Sequence, residues 1–111
     1  MDKARIEKYL RWTTRRFKDN SLELVWMKIQ ENPRIKREYE TFDQQPARYA
    51  HSTANIKFAL KHYGWEDLLK GLWIVATEKE NSMNLMGFKK EQEKWIKVKD
   101  KLAQMPRNVQ Q

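Results

Sequence analysis

The chain contains no cysteine. That excludes a disulfide framework, thiolate metal ligation and cysteine-based redox or nucleophilic chemistry. Glycine and proline are scarce, with three of each among 111 residues. Tight hairpins rely on these residues for backbone shapes that others resist, so few hairpins can be built here. Helices with short connections need little of either. Long apolar runs are missing too. The most apolar stretch, LLKGLWIVA (68–76), is interrupted by Lys70 and is far too short to span a bilayer. The opening MDKARIEKYLRW has no apolar segment of the secretory type. A soluble cytoplasmic protein with no membrane partner is therefore expected.

What the chain does contain is aromatic surface and positive charge. Five Trp, four Tyr and four Phe supply large pieces of buried area, which argues for one self-sufficient core rather than disorder. The formal net charge is +8. One domain over residues 1–105, followed by a frayed tail at 106–111, accounts for the length.

Apolar residues recur with a period near 3.6 in every long segment, and none alternates as a strand would. The pattern predicts an all-α fold, a compact bundle of five or six helices. The first runs from about Asp2 to Phe17 with Ile6, Leu10, Thr13 and Phe17 inward. Asn20 opens the second, with Glu23 as a capping-box partner and Leu22, Val25, Trp26 and Ile29 as its apolar stripe. Asn32 and Pro33 start the third as cap and first-turn residue, and Ile35, Tyr39 and Phe42 face inward.

After the polar break at 43–45, Pro46 begins a fourth helix that Gly64 stops, with Tyr49, Thr53, Ile56, Leu60 and Tyr63 on one stripe. The fifth, about Glu66 to Lys79, is apolar nearly all round through Leu68, Leu69, Leu72, Trp73, Ile74 and Val75. It is expected at the centre, with self-association through it as the rival reading. On this reading Trp73 is a core residue and Trp12 a surface one. NSMNLMG (81–87) connects to a sixth helix, about Phe88 to Met105, with Phe88, Trp95, Val98 and Leu102 inward.

The positive charge is unevenly placed. Residues 46–64 hold three bases and no acid, and the KKEQEKWIKVKDK stretch (89–101) alone holds six lysines. The excess belongs to the first, fourth and sixth helices. Lys8, Arg11 and Arg15 lie opposite the inner stripe of the first. Lys90, Lys94, Lys97 and Lys101 form one stripe of the sixth, nearly free of acids. A solvated helix usually mixes signs to gain favourable pairs, and only Glu93 with Lys97 offers one in the better order. A face that serves solubility alone is the plain alternative.

Chemistry of the catalytic kind finds no footing. His51 and His62 are eleven residues apart, about 16 Å along a helix at ~1.5 Å per residue, so one metal cannot take both. There is no glycine-rich phosphate loop and no Ser–His–Asp pattern with its turn chemistry. Glu66 with Asp67, and Glu91 with Glu93, point apart on a helix and do not form joint acid–base sites. A non-enzymatic protein without cofactor or metal is expected.

Three groups suit nucleic acid. Lys8, Trp12 and Arg16, one helical turn apart, place an indole between two cations, where a base could stack. Its rival is an indole at the core edge covered by cationic stems. Arg48, Ser52, Asn55 and His62 form a polar stripe with Lys57 and Lys61 beside it. Arg and Asn can read base edges, and the third and fourth helices have lengths compatible with helix-turn-helix. Lys90, Lys94, Lys97 and Lys101 could hold phosphates. The expectation is a nucleic-acid-binding protein, DNA or RNA, that works through backbone electrostatics, on its own or in a nucleoprotein assembly. The alternative is a phage-type inhibitor or adaptor that engages an acidic surface on a partner protein.

Overall fold

The computed structural model describes residues 3–43 and 52–106. Five helices follow one another: α1 (Lys3–Arg16), α2 (Ser21–Ile29), α3 (Pro33–Asp43), α4 (Ser52–Leu85) and α5 (Lys89–Gln104). A single 3-10 turn, Lys18–Asn20, leads into α2. The helices form a compact all-α bundle, and among the described residues there is no strand. The expected helix start at Pro46, the residues Arg48, Tyr49 and His51, and the tail from 107 onward lie outside the described residues. So do the side chains of Phe42, Ser52 and Thr53.

Local chemistry sets most boundaries. Arg15 and Arg16 end α1, where positive charge suits the carbonyl end of a helix. The buried Thr13 hydroxyl donates to the Leu10 carbonyl at 2.9 Å, so it costs the core little. Asn32 caps α3 as expected: its Oδ1 accepts from the Arg34 backbone N–H at 2.9 Å, and Pro33 fills the first helical position. At α2 the capping box is only half realised. Asn20 makes no side-chain cap to the backbone and instead donates from Nδ2 to Glu23 Oε1 at 3.2 Å.

Two glycines shape the longest helix. Gly64 has φ 78° and ψ 169°, so it ends one helical arm of α4 and the next opens across a kink, the stop expected of it. That backbone region is essentially reserved for glycine. The second arm runs past Lys79 to Leu85, through most of the segment expected as a connection. It ends where Gly87, at φ 76°, turns the chain. The Phe88 N–H reaches back to the Met83 carbonyl (2.9 Å) and the Gly87 N–H to the Asn84 carbonyl (3.1 Å). This paired closure satisfies two carbonyls that a helix end would otherwise leave open.

The core gathers on α4, which packs against α1, α2 and α5. Ile56, Leu68, Leu72, Val75 and Ala76 are fully buried there, with Phe17, Leu24, Trp95, Val98 and Leu102 closing around them. Val25, Ile29 and Ile35 form a smaller cluster where α3 joins. Beyond α5 the chain is held at Pro106, whose carbonyl accepts from Trp65 Nε1 at 2.7 Å.

Several apolar positions depart from the expected inner faces. Trp73 and Ile74 are 38% and 43% exposed, so the second arm of α4 has a wet side after all. At 100° per residue Leu68, Leu72, Val75 and Ala76 share one stripe, while Trp73 and Ile74 fall beyond its edge. Leu22 and Trp26, one turn apart on α2, are also exposed, because Leu24, Val25 and Ile29 take the buried side. Phe88 faces water because it sits on the α4–α5 turn, before the helix whose inner face it was expected to share.

Candidate functional site

α1 and α5 meet through their aromatic residues. Phe17, just after α1, packs edge-on against Trp95 of α5, with ring centroids 5.6 Å apart. Both rings are buried. This contact brings the outer flank of α1 beside the outer flank of α5, and a groove of about 400 Å³ lies between them. Its walls are Trp12 and Arg16 from α1 and Lys90, Glu93, Lys94, Lys97, Val98 and Lys101 from α5. Trp12 and Arg16 thus share one groove with a lysine stripe about eighty residues further along the chain.

The groove is strongly one-signed. Five cations face a single carboxylate, and no groove residue forms an ion pair among the described residues. Like charges at such spacing repel, and the usual relief is a nearby acid or a bound anion. Lys99 shows what a structural lysine looks like on the same helix. It lies on the other side of α5, 3.5 Å from Glu80 and 4.7 Å from the centre of the Trp73 ring, with little exposure. Its charge is used within the fold. Those of Lys90, Lys94, Lys97 and Lys101 are not.

Trp12 has a dual placement. It is partly buried against the main core and also lines the groove. The indole holds the core edge, as one of the two readings expected, and also presents surface to the groove. Arg16 is the cation beside it in the groove. Lys8, on Trp12's other flank, is exposed but outside the groove, as are Arg11 and Arg15.

The group on the first arm of α4 does not survive as a unit. Asn55, expected on an exposed polar stripe, is buried and donates to Ser21 Oγ at 3.4 Å, joining α4 to α2. It cannot read a base from there. The reason is rotational: Asn55 adjoins Ile56 and Ala59 on the inward side, and the small Ser21 leaves room for an amide in the core. His62 is mostly covered, with Nε2 2.9 Å from Glu38 of α3 and its ring 4.5 Å from Phe58. Arg48 lies outside the described residues. Lys57 and Lys61 are exposed but do not line the groove.

Sequence reasoning missed Glu93 and Val98 as groove residues. Glu93 could have been found, since it shares a helical flank with Lys90 and Lys97. Among the described residues no cluster of three or more His, Asp or Glu is arranged to hold a metal ion. No described helix is long and apolar enough to cross a membrane. No family model matches this chain, and no curated protein or solved structure matches it.

Proposed function

We propose that this protein binds nucleic acid by holding the phosphate backbone in the groove between α1 and α5. The observation that carries the reading is the convergence of Arg16, Lys90, Lys94, Lys97 and Lys101 on one concave surface, without ion-pair partners among the described residues. Phosphate contacts by Lys and Arg supply most sequence-independent affinity for nucleic acid, through release of condensed counterions. Lysine ammonium groups position a backbone and carry no base information, so binding should depend weakly on sequence. Lys8, Arg11, Arg15, Lys57 and Lys61 would add to the long-range attraction.

The test is a Gln replacement of Lys90, Lys94, Lys97 and Lys101 together. Their heads are exposed, so the fold should persist. Binding to DNA and RNA is then measured across a salt series. Each lost contact should flatten the slope of log K against log salt by about 0.9 for duplex or about 0.7 for single strand. Unchanged affinity and slope for every nucleic acid would leave the stripe a solvated face.

One observation favours a second reading, docking on an acidic partner protein. Leu85, Met86 and Phe88 stand 87%, 52% and 55% exposed on the α4–α5 turn, beside Lys89 and Lys90. An apolar cluster next to cations suits a protein surface that combines both features. This reading takes the lead if the quadruple variant binds nucleic acid as wild type does.

A further inference from the structure

Building on the groove's proposed role in holding nucleic acid, we infer that its ligand is a single strand, with one nucleobase inserted against Trp12. A site that held only phosphates would need cations and nothing else on its walls. This groove has the partly buried indole of Trp12 among its lining residues, while Val98, 4% exposed, adds little surface. An indole face has no use for a phosphate but suits the flat, weakly polar face of a base. Arg16 follows Trp12 by one helical turn and lines the same space, so a guanidinium plane is also at hand for a stacked base.

Shape points the same way. Pockets for compact ligands start near 300 Å³, so about 400 Å³ admits a body of nucleotide size and not a double helix. A duplex keeps its bases stacked inside and would ride on the rim, touching lysines while Trp12 met nothing. A single strand can splay a base at little cost. Lys90 to Lys101 spans about 16 Å at ~1.5 Å per residue, so the strand's phosphates can follow α5 on both sides of the inserted base. The tryptophan is held by its own packing: being partly buried against the core, the indole is ordered before any ligand arrives.

The experiment compares three fluorescent probes of one length by anisotropy: oligo(dT), the same strand with every base removed, and a duplex. All three carry phosphates, and only the first offers free bases. Oligo(dT) should bind about tenfold or more tightly than the abasic strand, the gain expected of a stacked base. Trp12→Leu should bring oligo(dT) down to the abasic level and leave the abasic strand's own affinity unchanged. Trp12→Phe should restore part of the difference. Because Trp12 also touches the core, a direct readout on the wild-type protein guards against an unfolded variant. A strand carrying 5-bromodeoxyuridine, irradiated in the complex, should crosslink at Trp12. Equal affinity for oligo(dT) and the abasic strand, tighter binding of duplex, or crosslinks confined to other residues would each overturn the inference while leaving phosphate binding intact. If none of the three probes binds at low salt, it is the proposed function itself that fails.

Discussion

Phe17 and Trp95 meet edge-on, ring planes 63° apart, where the end of α1 reaches α5. The two side chains are buried, while their neighbours Arg16 and Lys94 line the groove. Core packing and the groove's shape are thus the same piece of structure. Trp95→Ala should cost about 3–5 kcal/mol in denaturant unfolding. A double-mutant cycle with Phe17→Leu should show coupling of roughly 0.5–1.5 kcal/mol, the usual range for an aromatic pair. Additive losses would mean that the rings merely fill space.

Trp65 and Trp73 lie eight residues apart on α4 and should respond very differently to truncation. Trp65 is buried, stacks obliquely near Tyr9 and donates to the Pro106 carbonyl. Its replacement by Ala should cost about 3–5 kcal/mol. Trp73 is 38% exposed, and the Lys99 ammonium lies over its ring. Trp73→Ala should cost clearly less. Lys99→Met should forfeit a cation–π contribution of about 0.5–1 kcal/mol beside the loss of the Glu80 pair. Equal losses at Trp65 and Trp73, by thermal or urea unfolding, would restore Trp73 to the core.

Gly64 has open space where a Cβ would go, with nothing within 4 Å. Sterics with neighbours therefore predict a harmless Gly64→Ala. The backbone predicts otherwise. At φ 78° and ψ 169° an alanine strains against its own peptide groups, and about 1–3 kcal/mol of stability should be lost. Stability unchanged within a few tenths of a kcal/mol would mean that the kink relaxes easily in solution.

Tyr63 spans α4 and α2, its hydroxyl donating to the Leu24 carbonyl. Burial, reinforced by the negative charges of Glu31 and Asp67, pushes its phenol up from 10.0 to about 12. In the unfolded chain the phenol would release its proton near 10, while the folded protein retains it. The unfolded state then binds fewer protons, so folding stability should fall as pH rises from about 10 to about 12. Other effects of alkaline pH are common to both proteins when the comparison is with Tyr63→Phe. That variant should start less stable and decline less steeply, followed by urea unfolding at successive pH values. Parallel curves would place the phenol in water.

Glu93 is the one carboxylate in a groove of five cations. A polyanion held there must approach it. Glu93→Gln should tighten binding about twofold at low salt, a gain of roughly 0.5 kcal/mol that fades as salt screens it. If the groove is only a solvated face, the substitution should leave affinity unchanged by anisotropy titration.

Much of the fold was written in local pattern. Helical period, the Asn32–Pro33 start of α3 and the scarcity of glycine and proline each act within a few residues, and each was realised. The misreadings came at edges. The segment 81–87, expected as a connection, is helical as far as Leu85, and only Gly87, at φ 76°, turns the chain. Trp73 and Ile74 belong by hydropathy with Leu72, and only the neighbours packed around α4 decide which part of its circumference stays wet.

The groove shows the same division. The sequence by itself determined its parts: an indole one turn from Arg16 on α1, and a lysine stripe on α5 with acids nearly absent. Helical geometry dictates that much, since residues three or four apart must share a face. Only the tertiary structure decided that the two faces join, that Lys99 turns away to Glu80, and that Asn55 is sealed beneath Ser21. Those outcomes depend on how α1 and α5 settle on α4 through Phe17, Trp95 and their neighbours. Packing of that kind couples residues remote in the chain, and periodicity along a single helix carries no record of it.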